Sequence, residues 1–108
     1  MNYSVLYMPH VTAAIDQQAQ YLCDQHASPD RVATWLEELY DLVDSLEQWP
    51  RRYPVDDVAT AALETEVRRV SFGNYIIYFR VDDSQMCVSV LHFRHAAQET
   101  NQPTADDL

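Results

Sequence analysis

The sequence predicts an α+β fold in which one strand and two helices precede three strands, in the order βααβββ. Apolar residues recur at helical spacing through much of residues 12–46. Ser28 and Pro29 interrupt this region and divide it into two helices. Three short apolar runs then follow one another from Val67 to His95. We therefore expect an antiparallel helical hairpin packed on a small, mostly antiparallel sheet.

The first strand and the first helix are separated by a proline. The run from Tyr3 to Met8 is typical of a strand, and Pro9 ends it because proline has no N–H to donate to a sheet. Thr12 is the predicted N-cap of the first helix, which extends to about His26. The apolar residues of this helix recur at helical spacing, at Ile15, Ala19, Leu22 and Cys23.

The second helix has the clearest start signal in the chain. Ser28 is a good N-cap, Pro29 suits the first helical position, and Asp30 complements the positive end of the helix dipole. Trp49 and Pro50 are predicted to end this helix. One helix face is apolar, at Val32, Trp35, Leu36, Leu39, Leu42, Val43 and Leu46. The opposite face is acidic and solvated.

Two segments lack a regular pattern. Between Pro50 and Glu66, two prolines, paired arginines and an alanine-rich patch predict an irregular connection. Residues 98–108 are polar and acidic, with almost no apolar surface for packing. We expect one domain over residues 1–97, followed by a flexible tail over 98–108.

The three final runs read VRRVSF, NYIIYFRVDD and MCVSVLHFRH. Successive side chains of a strand point to opposite faces, so Arg69 is expected opposite to Val70 and Phe72. By the same rule one face of the central strand is core, at Tyr75, Ile77 and Phe79, and the other carries Tyr78 and Arg80. The sheet is therefore predicted to carry cationic groups on one face.

Charge is distributed unevenly along the chain. The net charge is −10, and all seven basic residues are arginine. Residues 67–95 carry four arginines and two acidic residues, whereas the segments before and after them, residues 1–66 and 96–108, are both net negative. A chain without lysine is not expected to attract nucleic acid in general, so we expect no sequence-specific DNA binding by this chain and only local nucleic-acid contact, if any.

Several classes of site and location are disfavoured. No segment reaches the roughly 18 apolar residues that cross a bilayer, and the N-terminus lacks the features of a secretory signal, so we expect a cytoplasmic protein without membrane partners. Cys23 and Cys87 show no CxxC spacing and are expected to be reduced thiols. Strand alternation points His92 and His95 to opposite faces, so we expect no metal site and no cofactor.

The same region carries a family resemblance. The run YIIYFRVD from Tyr75 to Asp82, Arg69 before a short turn, the Trp49-Pro50 pair and a final strand ending in His95 resemble the RelE/ParE toxin superfamily, which includes plasmid stabilisation proteins. The resemblance covers nearly all of residues 1–97. It implies the toxin of a type II toxin–antitoxin module, silenced by an antitoxin whose flexible segment wraps over the toxin.

The superfamily contains two activities. RelE-like members are ribosome-dependent mRNA endonucleases, which use arginine at the scissile phosphate and lysine, histidine, glutamate or tyrosine for proton transfer. This chain has Ile76 where an arginine is common in the family, no lysine, and no tyrosine after Tyr78.

It is more similar to ParE-like members, which bind DNA gyrase and trap its cleaved DNA complex. We therefore expect a non-enzymatic gyrase inhibitor. The alternatives are an endonuclease acting on the ribosome and mRNA, or an inactive member serving as a binding module.

The resemblance and the charge pattern together indicate candidate site residues. Residues expected to bind the target or the antitoxin are Arg69, Tyr78, Arg80, Arg94 and His95. Arg69, Arg80 and His95 are also the catalytic candidates of the endonuclease alternative. The structural alternative for the two arginines is surface ion pairing, worth at most about 1 kcal/mol each, with Glu66, Asp82 or Asp83.

Overall fold

The computed structural model describes residues 2–25 and 27–96, so the predicted tail lies outside the described residues. The helices are α1 (Pro9–Asp24), α2 (Pro29–Asp44) and α3 (Asp57–Leu63), and the strands are β1 (Ser4–Tyr7), β2 (Arg68–Phe72), β3 (Tyr75–Asp82) and β4 (Cys87–His95). The strands form one sheet in the order β1-β4-β3-β2, in which β1 is parallel to β4 and the other pairs are antiparallel. The predicted α+β class is confirmed.

Helix α1 begins earlier than predicted. Pro9 occupies its first turn and Met8 is the N-cap residue, with no side-chain capping bond. The prediction that Thr12 caps this helix is therefore wrong. Its hydroxyl instead donates to the carbonyl of Pro9 at 3.1 Å, within the first turn. Proline both ends a strand and suits the first position of a helix, and here Pro9 does both.

Helix α2 begins as predicted. The Ser28 side chain accepts a hydrogen bond from the Arg31 backbone N–H at 3.2 Å. The α-helix ends at Asp44 and tightens into a 3₁₀ turn over Ser45–Glu47. Trp49 and Pro50 therefore follow the helix rather than ending it.

The main core lies between the α1–α2 pair and one face of the sheet, here called the inner face. The helices contribute Val11, Ile15, Leu39 and Val43, the 3₁₀ turn after α2 contributes Leu46, and the sheet contributes Val70, Tyr75, Ile77, Phe79, Val88, Val90 and Phe93. The predicted core positions of β3 are thereby confirmed.

A β-bulge in β4 shifts the register halfway along the strand. Tyr78 pairs with His92, whereas the next residue, Phe79, pairs with Val90, so Leu91 is left over. The imidazole Nε2 of His10, in the first turn of α1, donates to the Leu91 carbonyl at 2.7 Å. The helix thereby satisfies a backbone group that the bulge leaves outside the strand ladder.

The connection predicted to be irregular contains helix α3, so that prediction is wrong for Asp57–Leu63. The Asp56 carboxylate caps this helix by accepting from the Ala59 N–H at 2.9 Å. Ala59, Val67 and Tyr78 form a second buried cluster. Because Tyr78 points away from the inner face, α3 covers part of the opposite, outer face.

Candidate functional site

The arginine face is the outer face of β2, β3 and β4, defined by Arg69, Tyr78, Arg80 and Arg94. Arg69 pairs directly with Tyr78, and Ile76 pairs with Arg94, so these side chains share a face. Alternation along β3 places Arg80 there too. His95 pairs with Tyr75 and lies on the inner face. The prediction grouped five residues, and the structure brings four of them to one face.

Arg94 is a buried cation on the arginine face. It is 6% exposed, its Nε donates to the Tyr78 hydroxyl at 3.1 Å, and its Nη1 donates to the His95 carbonyl at 3.2 Å. Within residues 2–25 and 27–96, no carboxylate lies within 4.0 Å of its guanidinium. The guanidinium is therefore hydrogen-bonded by neutral oxygens. Its permanent positive charge is not cancelled and remains available to attract an anionic group.

Tyr78 was predicted to contact a partner, but it is fully buried. Its ring lies in the cluster under α3, and its ring centroid is 6.1 Å from that of His92. Its hydroxyl accepts the hydrogen bond from Arg94 Nε. In this structure Tyr78 positions Arg94 and is not accessible to a partner. The sequence showed its face correctly, but it did not show the helix that covers it.

Arg69 lies at the edge of the sheet, on strand β2. Its side chain is half exposed, and its Nη1 lies 3.7 Å from Oδ2 of the buried Asp56. Asp56 therefore caps α3 and partly neutralises Arg69, a role that sequence analysis missed. The suggested pairing of Arg69 with Glu66 is not formed, because Glu66 pairs with Arg68 at 3.1 Å.

Arg80 is a half-buried cation that makes no ion pair within 4.0 Å in the part of the chain that the structure describes. The pKa of Asp82 is lowered chiefly by hydrogen bonds from Ser84 and the Gln85 N–H, with the charge of Arg80 a smaller cause. Asp83 pairs with Arg51 at 2.8 Å instead. Arg80 therefore interacts with the charge of Asp82 but forms no direct ion pair in the described ranges.

His95 lies away from the arginine face, beside Tyr75 on the inner face. The two rings pack edge to face with their centroids 5.1 Å apart, and the Tyr75 hydroxyl accepts from Gln18 Nε2 at 2.8 Å. Burial raises the pKa of Tyr75. A shallow cavity at this end of the sheet is lined by Gln17, Gln18, Tyr21, Tyr75, Phe93, Arg94 and His95, together with Ala14. Of the predicted site residues, only Arg94 joins His95 there.

The ranges that the structure describes, 2–25 and 27–96, also bear on metal sites and membrane spans. No three histidine, cysteine, aspartate or glutamate side chains there are grouped so that they could hold a metal ion. No helix in these ranges is long and apolar enough to cross a membrane.

Comparison with known proteins agrees with this scaffold. Residues 5–100 match the family described as the ParE toxin of the type II toxin–antitoxin system parDE. The structure is similar to the toxin–antitoxin complex RelBE2 from Mycobacterium tuberculosis, with a TM-score of 0.54 and 16% identity over 88% of this chain and 99% of that one. No curated protein sequence matches the chain significantly. Because the family match spans nearly the whole chain, the protein belongs to the ParE toxin family of type II toxin–antitoxin systems.

Proposed function

We propose that this chain is a growth-arresting toxin that inhibits DNA gyrase by binding it and does not cleave RNA. The observation that carries the proposal is the separation of the three catalytic candidates, because His95 lies on the opposite face of the sheet from Arg69 and Arg80. Phosphodiester cleavage requires a base, an acid and a cation around one phosphate. Here Arg69 and Arg80 lie on the outer face, His95 lies on the inner face, and Tyr78 is buried.

The same geometry supports a binding role for the arginine face. Arg80 is half-buried and outside any described ion pair, and Arg94 adds a second charge beneath the surface. Guanidinium groups on a rigid sheet suit the recognition of carboxylates or phosphates. Since the rest of the chain is acidic, this face is the part of the protein that complements an anionic surface.

One observation favours the endonuclease alternative. His92 shares the outer face with Arg94 and Tyr78, so a histidine and a cation do lie on one side of the sheet. An enzyme of this kind would lose activity with His92→Gln, whereas a gyrase inhibitor would not.

We further propose that a cognate antitoxin binds this chain in the cytoplasm. The similar RelBE2 structure is a toxin–antitoxin complex, and the incompletely neutralised Arg80 suits a carboxylate of such a partner. An inactive family member retained as a binding module would keep this interaction and lack toxicity.

The direct test uses purified gyrase and supercoiled plasmid. The proposal expects cleaved plasmid to accumulate after denaturation when the chain is added, and expects Arg80→Glu to reduce this effect at least tenfold. Arg31→Glu is the matched control, because Arg31 is exposed on α2 rather than on the sheet. Unchanged gyrase activity together with cleavage of mRNA on ribosomes would refute the proposal.

A further inference from the structure

Trp49 is the most exposed large apolar side chain in the described part of the protein. It is 83% exposed, and its backbone is left-handed, with φ 49° and ψ 52°. That conformation is unfavourable for a residue with a Cβ atom, and a bulky residue there is an outlier. The chain therefore keeps a large indole in water on a strained turn, and residues strained in this way cluster at functional sites.

The turn that presents Trp49 is held in place. Arg52 Nη1 donates to the carbonyls of Gln48 and Trp49, the latter at 3.1 Å, and its Nη2 donates to the Ser45 hydroxyl at 3.0 Å. The Tyr3 N–H donates to the Glu47 carbonyl at 2.8 Å and ties the turn to the start of β1. A partner would therefore meet an aromatic side chain on a backbone that is already ordered.

Near Trp49, two carboxylates outnumber the one arginine that is not paired with a carboxylate. Shallow cavities lie on two sides of the indole, one lined in part by Asp44 and Glu47 and the other by Tyr3, Pro50 and Arg51. Arg51 is paired with Asp83 at 2.8 Å, whereas Arg52 binds backbone carbonyls, keeps its positive charge and lines the same cavity as the two carboxylates. Within the described ranges, Asp44 and Glu47 make no ion pair.

We propose that Trp49, with Glu47 and Asp44, is a docking site for an arginine- or lysine-bearing segment of a partner protein. A cation over the indole face gains a cation–π interaction, and the two carboxylates can form ion pairs with it. The same carboxylates would repel a nucleic-acid backbone. A second copy of this chain would bring a net charge of −10 and no lysine. This inference is independent of the gyrase proposal, because it does not use the arginine face.

The test follows the two indole N–H signals of the ¹⁵N-labelled full chain by NMR. The probe is an eight-residue peptide of alternating arginine and glycine, and the comparison peptide alternates glutamate and glycine. The proposal expects the basic peptide alone to shift the Trp49 signal saturably, leaving that of Trp35, which packs against Phe72 and Phe93, nearly unchanged.

Variants separate the contact from the fold. Trp49→Ala is expected to weaken peptide binding at least fivefold, and the Glu47→Gln, Asp44→Asn pair to weaken it by a similar factor and reduce its salt dependence. Trp49→Gly removes the indole while keeping a backbone suited to the left-handed turn, so it should remain folded and lose binding.

The matched controls are Tyr21→Ala, an exposed aromatic on α1, and Glu37→Gln, an exposed carboxylate on α2; both should bind normally. The proposal is overturned if the acidic peptide shifts Trp49 equally, or if binding survives in Trp49→Gly. It is also overturned if the Trp49 signal moves with protein concentration in the absence of peptide, which would indicate self-association.

Discussion

Replacing Tyr78 by phenylalanine tests whether the buried Arg94 depends on one neutral oxygen. The substitution keeps the ring in the cluster under α3 and removes only the hydroxyl, which lies 3.1 Å from Arg94 Nε. A hydrogen bond to a charged group contributes about 1.5–3 kcal/mol, and Arg94 is too buried for water to replace it fully. We therefore expect a loss of about 2 kcal/mol, which for a domain of this size lowers Tm by roughly 8–16 °C.

The assay is urea unfolding followed by circular dichroism, with the m value as a check that the unfolded state is unchanged. Tyr75→Phe is the matched control, since the hydrogen bond that the Tyr75 hydroxyl accepts among the described residues comes from the neutral amide of Gln18. It should cost about 1 kcal/mol or less. If Tyr78→Phe is no more destabilising than Tyr75→Phe, the account of how Arg94 is stabilised is wrong.

Three further outcomes follow from local contacts. Asp56→Ala removes the cap of α3 and the carboxylate beside Arg69, so urea unfolding should show a loss of about 1 kcal/mol or more. Trp49→Gly should raise stability by about 1 kcal/mol, because glycine tolerates the left-handed backbone; a loss of stability would contradict this. Hydrogen bonds from Arg51 and from the Tyr3 hydroxyl lower the pKa of Asp83 below its usual 3.8, so the stability it contributes is present above about pH 3.8 and is lost as pH falls through the lower folded pKa. Compared with Asp83→Asn across pH 2–7, the wild type should therefore lose its advantage only in acid, and a difference that persists at the lowest pH would contradict this reasoning.

The elements that the sequence predicts correctly are determined by residues that lie close to one another in the chain. Ser28 and Pro29 define the start of α2 because the cap and the fixed proline backbone act locally, and alternation in β3 sorts Tyr75 from Tyr78 correctly. Pro9 was ambiguous because one residue both ended a strand and began a helix. Helix α3 was missed because seven residues are too few for a periodic apolar pattern, although Asp56 before an alanine-rich segment was an available capping signal.

The candidate site was predicted less completely because its properties are tertiary. Alternation placed Arg69, Arg80 and Arg94 on the sheet but did not reveal that α3 covers Tyr78 or that Asp56 reaches Arg69. The bulge at Leu91 is likewise set by pairing between strands, so it has no signal in the local sequence. These contacts decide which cations are exposed, and this is the property that a partner would recognise.

The measurement that tests the central claim most directly is induction of this chain alone in a bacterial host, with DNA and protein synthesis pulse-labelled separately. The account predicts that DNA synthesis fails first, with induction of DNA damage, and that Arg80→Glu delays this failure while Arg31→Glu does not. Early loss of translation with cleaved mRNA would contradict it in favour of an endonuclease. Normal growth at the same level of expression would contradict it in favour of an inactive binding module.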